Sequence, residues 1–226
     1  MGGSRFYEDA MRTTIYVDGF NLYYGCLKNT KYRWLNLEEL FRNILQDDHK
    51  IEKIHYFTAK LKSSSHDSTA PDRQKAYLNA LRTLPAVKIH YGHFAIHQKS
   101  MPKAEPPHER VEVIKTEEKG SDVNLSVHLL NDAWLDRYDC AIVVTNDSDM
   151  TEALKLVKQE FPQKSIGLIS PFKTHTSGLK RYAKFSEIIS EQALRKSQFP
   201  SPVHSPSGKY YYKPKGWKRY NLSPAN

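Results

Sequence analysis

Four aspartates are spaced so that a fold could gather them. Asp18 lies in "YVDGFNL", Asp122 in "KGSDVNLSVHLLNDA", and Asp147 and Asp149 share the turn "VVTNDSDM". Asp18 and Asp147 each follow a run of β-branched and apolar residues, so each marks the carboxyl end of a strand. In an open parallel sheet, ligands bind outside those ends. If the two strands are neighbours, the two carboxylates meet in one cleft. Asp122, at a helix start on the same rim, would join them. Carboxylates so grouped repel one another, and a hard divalent cation relieves the repulsion. An all-oxygen donor set selects Mg2+ or Mn2+ over zinc. At a phosphodiester such an ion lowers the pKa of a bound water and stabilises the leaving oxygen, so no covalent nucleophile is needed. Each acid also has a simpler use. Asp122 suits the positive end of its helix dipole, and Asp147 or Asp149 can cap the helix that follows. Capping does not require all four, nor Asn21 three residues after Asp18.

The elements that must position these acids read as a βα alternation. Strands are expected at 14–17, 51–59, 87–96, 140–146 and 165–170, with "RVEVIKTEEKG" as a further pairing strand. Amphipathic helices are expected at 36–45, 72–84, 122–135 and 150–161, with a short helix over 174–183 and a last short element over 187–194. Residues 97–110 hold Pro102, Pro106 and Pro107 and read as a loop or an irregular hairpin. The pattern predicts an α/β fold around a mostly parallel sheet. The ten histidines form no His-x-x-x-His pair on an expected helix face. His90, His93 and His97 alternate with apolar residues and read as surface or edge positions.

Composition bounds the setting. The chain has 226 residues, 39% hydrophobic and 26% charged, which suits one soluble domain. No stretch approaches the ~18 apolar residues of a membrane span, and the N-terminus has no secretory h-region. Residues 1–11 read as a flexible or appended N-terminus. Cys26 and Cys140 cannot make a disulfide framework and suit two buried thiols in the cytoplasm. The formal charge is +9, yet seven of the 34 basic residues and none of the 25 acidic ones follow Glu191. The rest of the chain, 34 less seven, carries 27 basic residues against 25 acidic. The basic character therefore belongs to the chain after Glu191, and within the tail, 197–226, "KYYYKPKGWKRY" interleaves cations with aromatics. That tail would either stack on single-stranded nucleic acid or fold back onto the domain. Lys60, Lys62, Arg73 and Gln74 on one rim loop, and Lys173, Thr174, Thr176 and Ser177 on another, could meet phosphate oxygens. An ordinary polar strand-to-helix loop explains them equally. Gly-x-Ser-x-Gly, Gly-x-Gly-x-x-Gly and P-loop motifs are absent from the sequence.

The three acidic motifs, in this order, resemble those of the NYN domain, in particular its LabA-like group, a branch of the PIN-like nuclease superfamily. "RQKAYLNALRTL", "IHYGHF" and "SPFKTHTSGLKRYA" resemble that group in order and spacing. The resemblance covers roughly residues 12–200, with the domain itself taken as 12–196. It implies a PIN-like three-layer sandwich and a Mg2+- or Mn2+-dependent endoribonuclease acting on single-stranded or looped RNA. Its acidic site carries over to Asp18, Asp122 and Asp147, with Asp149 as a further ligand or water-positioning acid. Asn21 would orient Asp18 or contact a metal-bound water, and Lys119 would meet a phosphate. Asn146 stands where the family often has a small residue. No helical clamp of the 5′-flap nuclease kind is evident, and PIN-like domains often pair, so a homodimer is open. The rival readings are a non-catalytic RNA- or protein-binding module, and a DNA nuclease or phosphoesterase with the same cleft chemistry.

Overall fold

The computed structural model describes residues 10–63, 67–174 and 177–217, with the side chain of Ser177 outside the description. Residues 1–9 of the expected N-terminal segment 1–11, Thr176, Lys218 and Arg219 also lie outside it. Strand β1 (Met11–Asp18) leads through α1 (Gly19–Leu22) and a π-turn at Tyr23–Leu27 to α2 (Leu37–Ile44) and β2 (His49–Ala59). Then come α3 (Ala70–Leu81), β3 (Val87–Pro102), β4 (Arg110–Lys119), α4 (Ser121–Trp134), β5 (Cys140–Val144) and α5 (Thr151–Glu160). The chain continues through β6 (Ser165–Ser170), α6 (Ser177–Lys180), β7 (Phe185–Ile188), α7 (Glu191–Lys196), β8 (Val203–His204) and β9 (Tyr210–Tyr211).

Seven strands form one sheet in the order β4-β3-β2-β1-β5-β6-β7, parallel except for the β3–β4 pair. The order runs outward from β1 in one direction and from β5 in the other, so the two strands flank a topological switch point. Side-chain alternation divides the core. Ile15, Val17, Ile54, Tyr56, Ile142 and Val144 face α2, α3 and α7. Tyr16, Phe57, Ala141 and Val143 face α4 and α5, meeting Leu125, Leu129, Leu154 and Val157. The result is the expected three-layer α/β/α sandwich.

Of the two forms expected for residues 97–110, loop or irregular hairpin, the structure has a hairpin: β3 runs on to Pro102 and pairs antiparallel with β4, His97 opposite Lys115 and Pro102 opposite Arg110. Both faces of this hairpin arm are largely solvent-exposed, so its polar residues carry no burial signal, and Pro102 sits at the strand's end where it breaks no ladder. The last short element is two elements, β7 and α7, separated by Ser190, whose hydroxyl accepts from Ala193 N–H and caps α7.

Beyond α7 the described chain folds back. Trp34 donates its indole N–H to the Pro200 carbonyl at 2.9 Å, and Trp217, 6% exposed, packs on Trp34 and Tyr77. Among the described residues no helix is long and apolar enough to cross a membrane.

Candidate functional site

Asp18 and Asp147 end neighbouring parallel strands, with Val17 opposite Val144 in the last register pair of β1 and β5. Asp18 is 4% exposed and caps α1. One oxygen accepts from Phe20 N–H and Asn21 N–H at 3.0 and 2.9 Å. The other accepts from the Asn21 amide at 2.7 Å and the Thr145 hydroxyl at 3.2 Å. Asn21 also accepts from Asn146 N–H at 3.1 Å, so one amide joins the ends of β1 and β5. The Asp147 N–H in turn donates to Thr145 Oγ1 at 3.1 Å. Asp147 accepts from Asp149 N–H at 3.0 Å and caps the short turn Ser148–Met150. The capping explanation thus holds for Asp18 and Asp147. Asp122, in the first turn of α4, also lies where the helix dipole favours an acid, and Asp149 is exposed in the short turn that Asp147 caps.

Asp122 reaches the rim through a tight β4–α4 turn. Gly120 has φ of +94°, a left-handed value that side chains resist. Gly92 in β3 lets that turn come close: a Cβ there would lie 2.5 Å from the Lys119 carbonyl oxygen. Partial burial, then the charges of Asp18, Asp147, Glu118 and Asp149, raise the Asp122 carboxyl to about 6. Burial also raises Asp18, against its hydrogen bonds from Asn21, Thr145 and Phe20. The four acids are therefore electrostatically one group.

These residues fit a hard divalent cation. The donors are all oxygen, and their mutual repulsion is what a cation removes. Among the described residues no three acids bring ligand oxygens within 4.8 Å of one another. An ion there would be held by one or two carboxylates, with water in the remaining positions. Asp18, whose oxygens already accept four hydrogen bonds, anchors the rim, and Asp122, Asp147 and Asp149 hold the open oxygens.

The other expected contacts spread out. Lys119 pairs with Glu117 at 3.0 Å. Lys60 lies over the Tyr91 ring, 5.1 Å from its centroid. Arg73 pairs with Asp67. Gln74 is a clamp, accepting from Leu61 N–H at 2.9 Å and donating to the Ala59 carbonyl at 2.8 Å. The Thr174 carbonyl accepts from the Ser170 hydroxyl at 2.8 Å. Arg73 and Gln74 line a cavity of about 430 Å3 that begins beside Asp18, at Gly19 and Phe20. Its walls include the aromatic rings of Tyr23, Tyr56, Tyr77, Phe94 and Trp217, with Lys28, Lys62, Arg33 and Asp67 among its polar residues.

The reading of the histidines holds for His93 and His97, which are exposed, and is corrected for His90. His90 is not a surface position: its ring packs on Phe57 and on His128, centroids 4.8 and 4.1 Å apart. His55, His90 and His128 bring ring nitrogens within 4.8 Å of one another. The signal available in the sequence was His55 itself, within the apolar half of its strand between Ile54 and Tyr56.

The NYN domain model matches residues 12–199. The chain belongs to the NYN domain family. NYN is a domain of the PIN-like nuclease superfamily, and the switch-point acids lie in the part matched. The NYN chain is 32% identical to 6-hydroxy-3-succinoylpyridine 3-monooxygenase HspA of Pseudomonas putida, over 93% of this chain and 76% of that protein. A crystal structure of a protein of unknown function, VPA0982 of Vibrio parahaemolyticus, superposes with a TM-score of 0.55 at 16% identity. That match covers 81% of this NYN chain and 96% of the other, and shows a shared fold.

Proposed function

We propose that this NYN domain hydrolyses RNA phosphodiester bonds as an endonuclease, using Mg2+ or Mn2+ held at the strand-end acids. The observation that carries the reading is that Asp18 and Asp147 lie at the ends of adjacent parallel strands, joined through Asn21, Thr145 and Asn146, with Asp122 near enough for their charges to help raise its carboxyl. When bound, a divalent ion supplies Lewis acidity toward water and the phosphate. Asp122, Asp147 and Asp149 offer it carboxylate oxygens. Asp18, pinned by Asn21 and Thr145, fixes the spacing between β1 and β5. Lys119, Lys60, Arg73, Thr174 and Ser177 belong to this reading as outer phosphate contacts, the lysines and Arg73 exchanging their present partners for phosphate. Single-stranded or looped RNA in the cytoplasm is the substrate, and two unbridged thiols suit that compartment.

The test is cleavage of a labelled single-stranded RNA and its matched DNA with Mn2+, Mg2+ or EDTA, beside Asp147→Asn. Metal-dependent RNA cleavage that the variant loses supports the reading. Equal cleavage by both proteins defeats it.

A second reading rests on the partly aromatic cavity next to Asp18 and on the activity in the name of the Pseudomonas relative. A 430 Å3 cavity is within the range for small-molecule sites, and its basic residues suit an aromatic acid. Oxygenation at the ring carbon that bears the succinoyl group would form a C–OH bond with one oxygen atom of O2, break the ring–acyl bond with the side chain leaving as the aldehyde acid, and release the other oxygen as water. Four electrons from two reduced nicotinamides would complete the balance. Turnover of 6-hydroxy-3-succinoylpyridine under O2 with such a reductant supports this reading; no turnover, with RNA cleaved, removes it.

A further inference from the structure

His55, His90 and His128 come from three elements and converge beneath α4. Register does this. Tyr16 pairs with His55 across β1 and β2, and Phe57 pairs with His90 across β2 and β3, so both imidazoles lie on the sheet face that α4 covers. His128 comes down from the helix. His55 Nδ1 is 2.7 Å from His90 Nε2. In a four-coordinate ion with metal–nitrogen bonds of about 2.0–2.1 Å, ligand nitrogens stand about 3.3 Å apart. The pair therefore needs to open by only about 0.6 Å to admit one.

A metal-ligating imidazole usually donates its other N–H to a carboxylate, which fixes its tautomer. His55 has that partner: its Nε2 is 3.3 Å from Asp132 Oδ2. Asp132 is itself held by the Tyr16 hydroxyl at 2.9 Å and by Arg137 at 3.0 Å. An access route exists. His55 and His128 line a cleft of about 560 Å3, along with Lys88, Asp132 and Arg137.

We infer that His55, His90 and His128 form a second metal site, separate from the acids, for a divalent transition metal of the Zn2+ type, with Asp132 orienting His55. Three imidazoles leave a four-coordinate ion one open position. Donor chemistry separates the two sites: imidazole suits Zn2+, and the carboxylate rim suits Mg2+ or Mn2+. An ion here would tie β2 and β3 to α4, the helix that carries Asp122.

The test is calorimetric titration of the full chain with Zn2+, and absorption of Co2+ as a spectroscopic substitute, in the wild type, in Asp147→Asn and in His128→Gln. We expect one tight Zn2+ per chain and the intense visible bands of four-coordinate Co2+. Both persist in Asp147→Asn, and affinity falls at least about 100-fold in His128→Gln. Histidine ring nitrogen shifts in the wild type give a second measure that needs no variant to fold. Zn2+ moving three rings supports the site. The inference is overturned if no ring moves, if wild type binds no Zn2+, or if binding is lost in Asp147→Asn and kept in His128→Gln.

Discussion

Helix α4 puts its first turn into the carboxylate rim and its middle into the imidazole cluster, and the two regions are in opposite electrostatic states. At the rim, like charges crowd one another, and Asp122 is held near 6. In the cluster, one buried acid, Asp132, is surrounded by donors. Burial alone would raise its carboxyl, but hydrogen bonds from His55, Tyr16 and Arg137 outweigh that and hold it well below the usual range. A site short of positive charge and a site already satisfied need different things from a ligand. The rim gains stability from a cation, whereas the cluster is stable without one and offers only lone pairs.

The contrast breaks most visibly at Asp132. Replacing it with Ala leaves Tyr16, His55 and Arg137 without their shared acceptor and costs about 4 kcal/mol, read by denaturant unfolding. A cost under about 1 kcal/mol would mean the network does not hold the cluster. Because the folded carboxyl is depressed, the stability it adds is complete above the usual carboxylate value, about 4. It is lost as pH falls from there, so wild type and Asp132→Asn converge in acid.

Next in size is Asp147→Asn, which lowers metal-dependent RNA cleavage about 100-fold, a barrier change of about 2.7 kcal/mol, and leaves Zn2+ binding intact. Asn21→Ala frees Asp18 and uncouples the ends of β1 and β5. It lowers the same rate about 10-fold, with the apparent affinity for Mn2+ reduced.

Smallest is Asp122→Asn, and its sign is the informative part. A carboxyl raised in the folded state costs stability when ionised. The cost grows as pH rises from about 4 toward 6 and is constant above. Without metal, Asp122→Asn is therefore more stable than wild type by about 1 kcal/mol at pH 8, after discounting for its half-burial. The two are equal near pH 3.5. Saturating Mg2+ reverses the order. Thermal melts at the two pH values, with and without Mg2+, measure all of this. A variant less stable than wild type in EDTA would show that the acids do not repel.

The rim was legible in the sequence because each of its acids is tied to an element boundary. Asp18 and Asp147 follow β-branched runs, Asp122 follows a glycine turn, and the strand order then brings the boundaries together. The cluster was not legible because nothing local joins positions 55, 90 and 128. Their meeting depends on register, including the shift between Thr13 and Thr14 in the β1–β2 ladder. A one-residue slip would send His55 to the opposite face. Gln74 and Lys119 show the converse. Their residue types suited phosphate, but whether a side chain is engaged by Ala59, Leu61 or Glu117 is a matter of tertiary placement.

Trp217 lies past residue 199, where the NYN match ends, yet its indole forms part of the cavity wall beside α1. A fragment trimmed to the matched region would retain all four aspartates and all three histidines and lose that wall. Comparisons that align relatives only over the shared domain therefore compare the acids and discard part of what shapes the neighbouring chamber. For this chain, differences in ligand preference between relatives should be sought downstream of the domain boundary as well as within it.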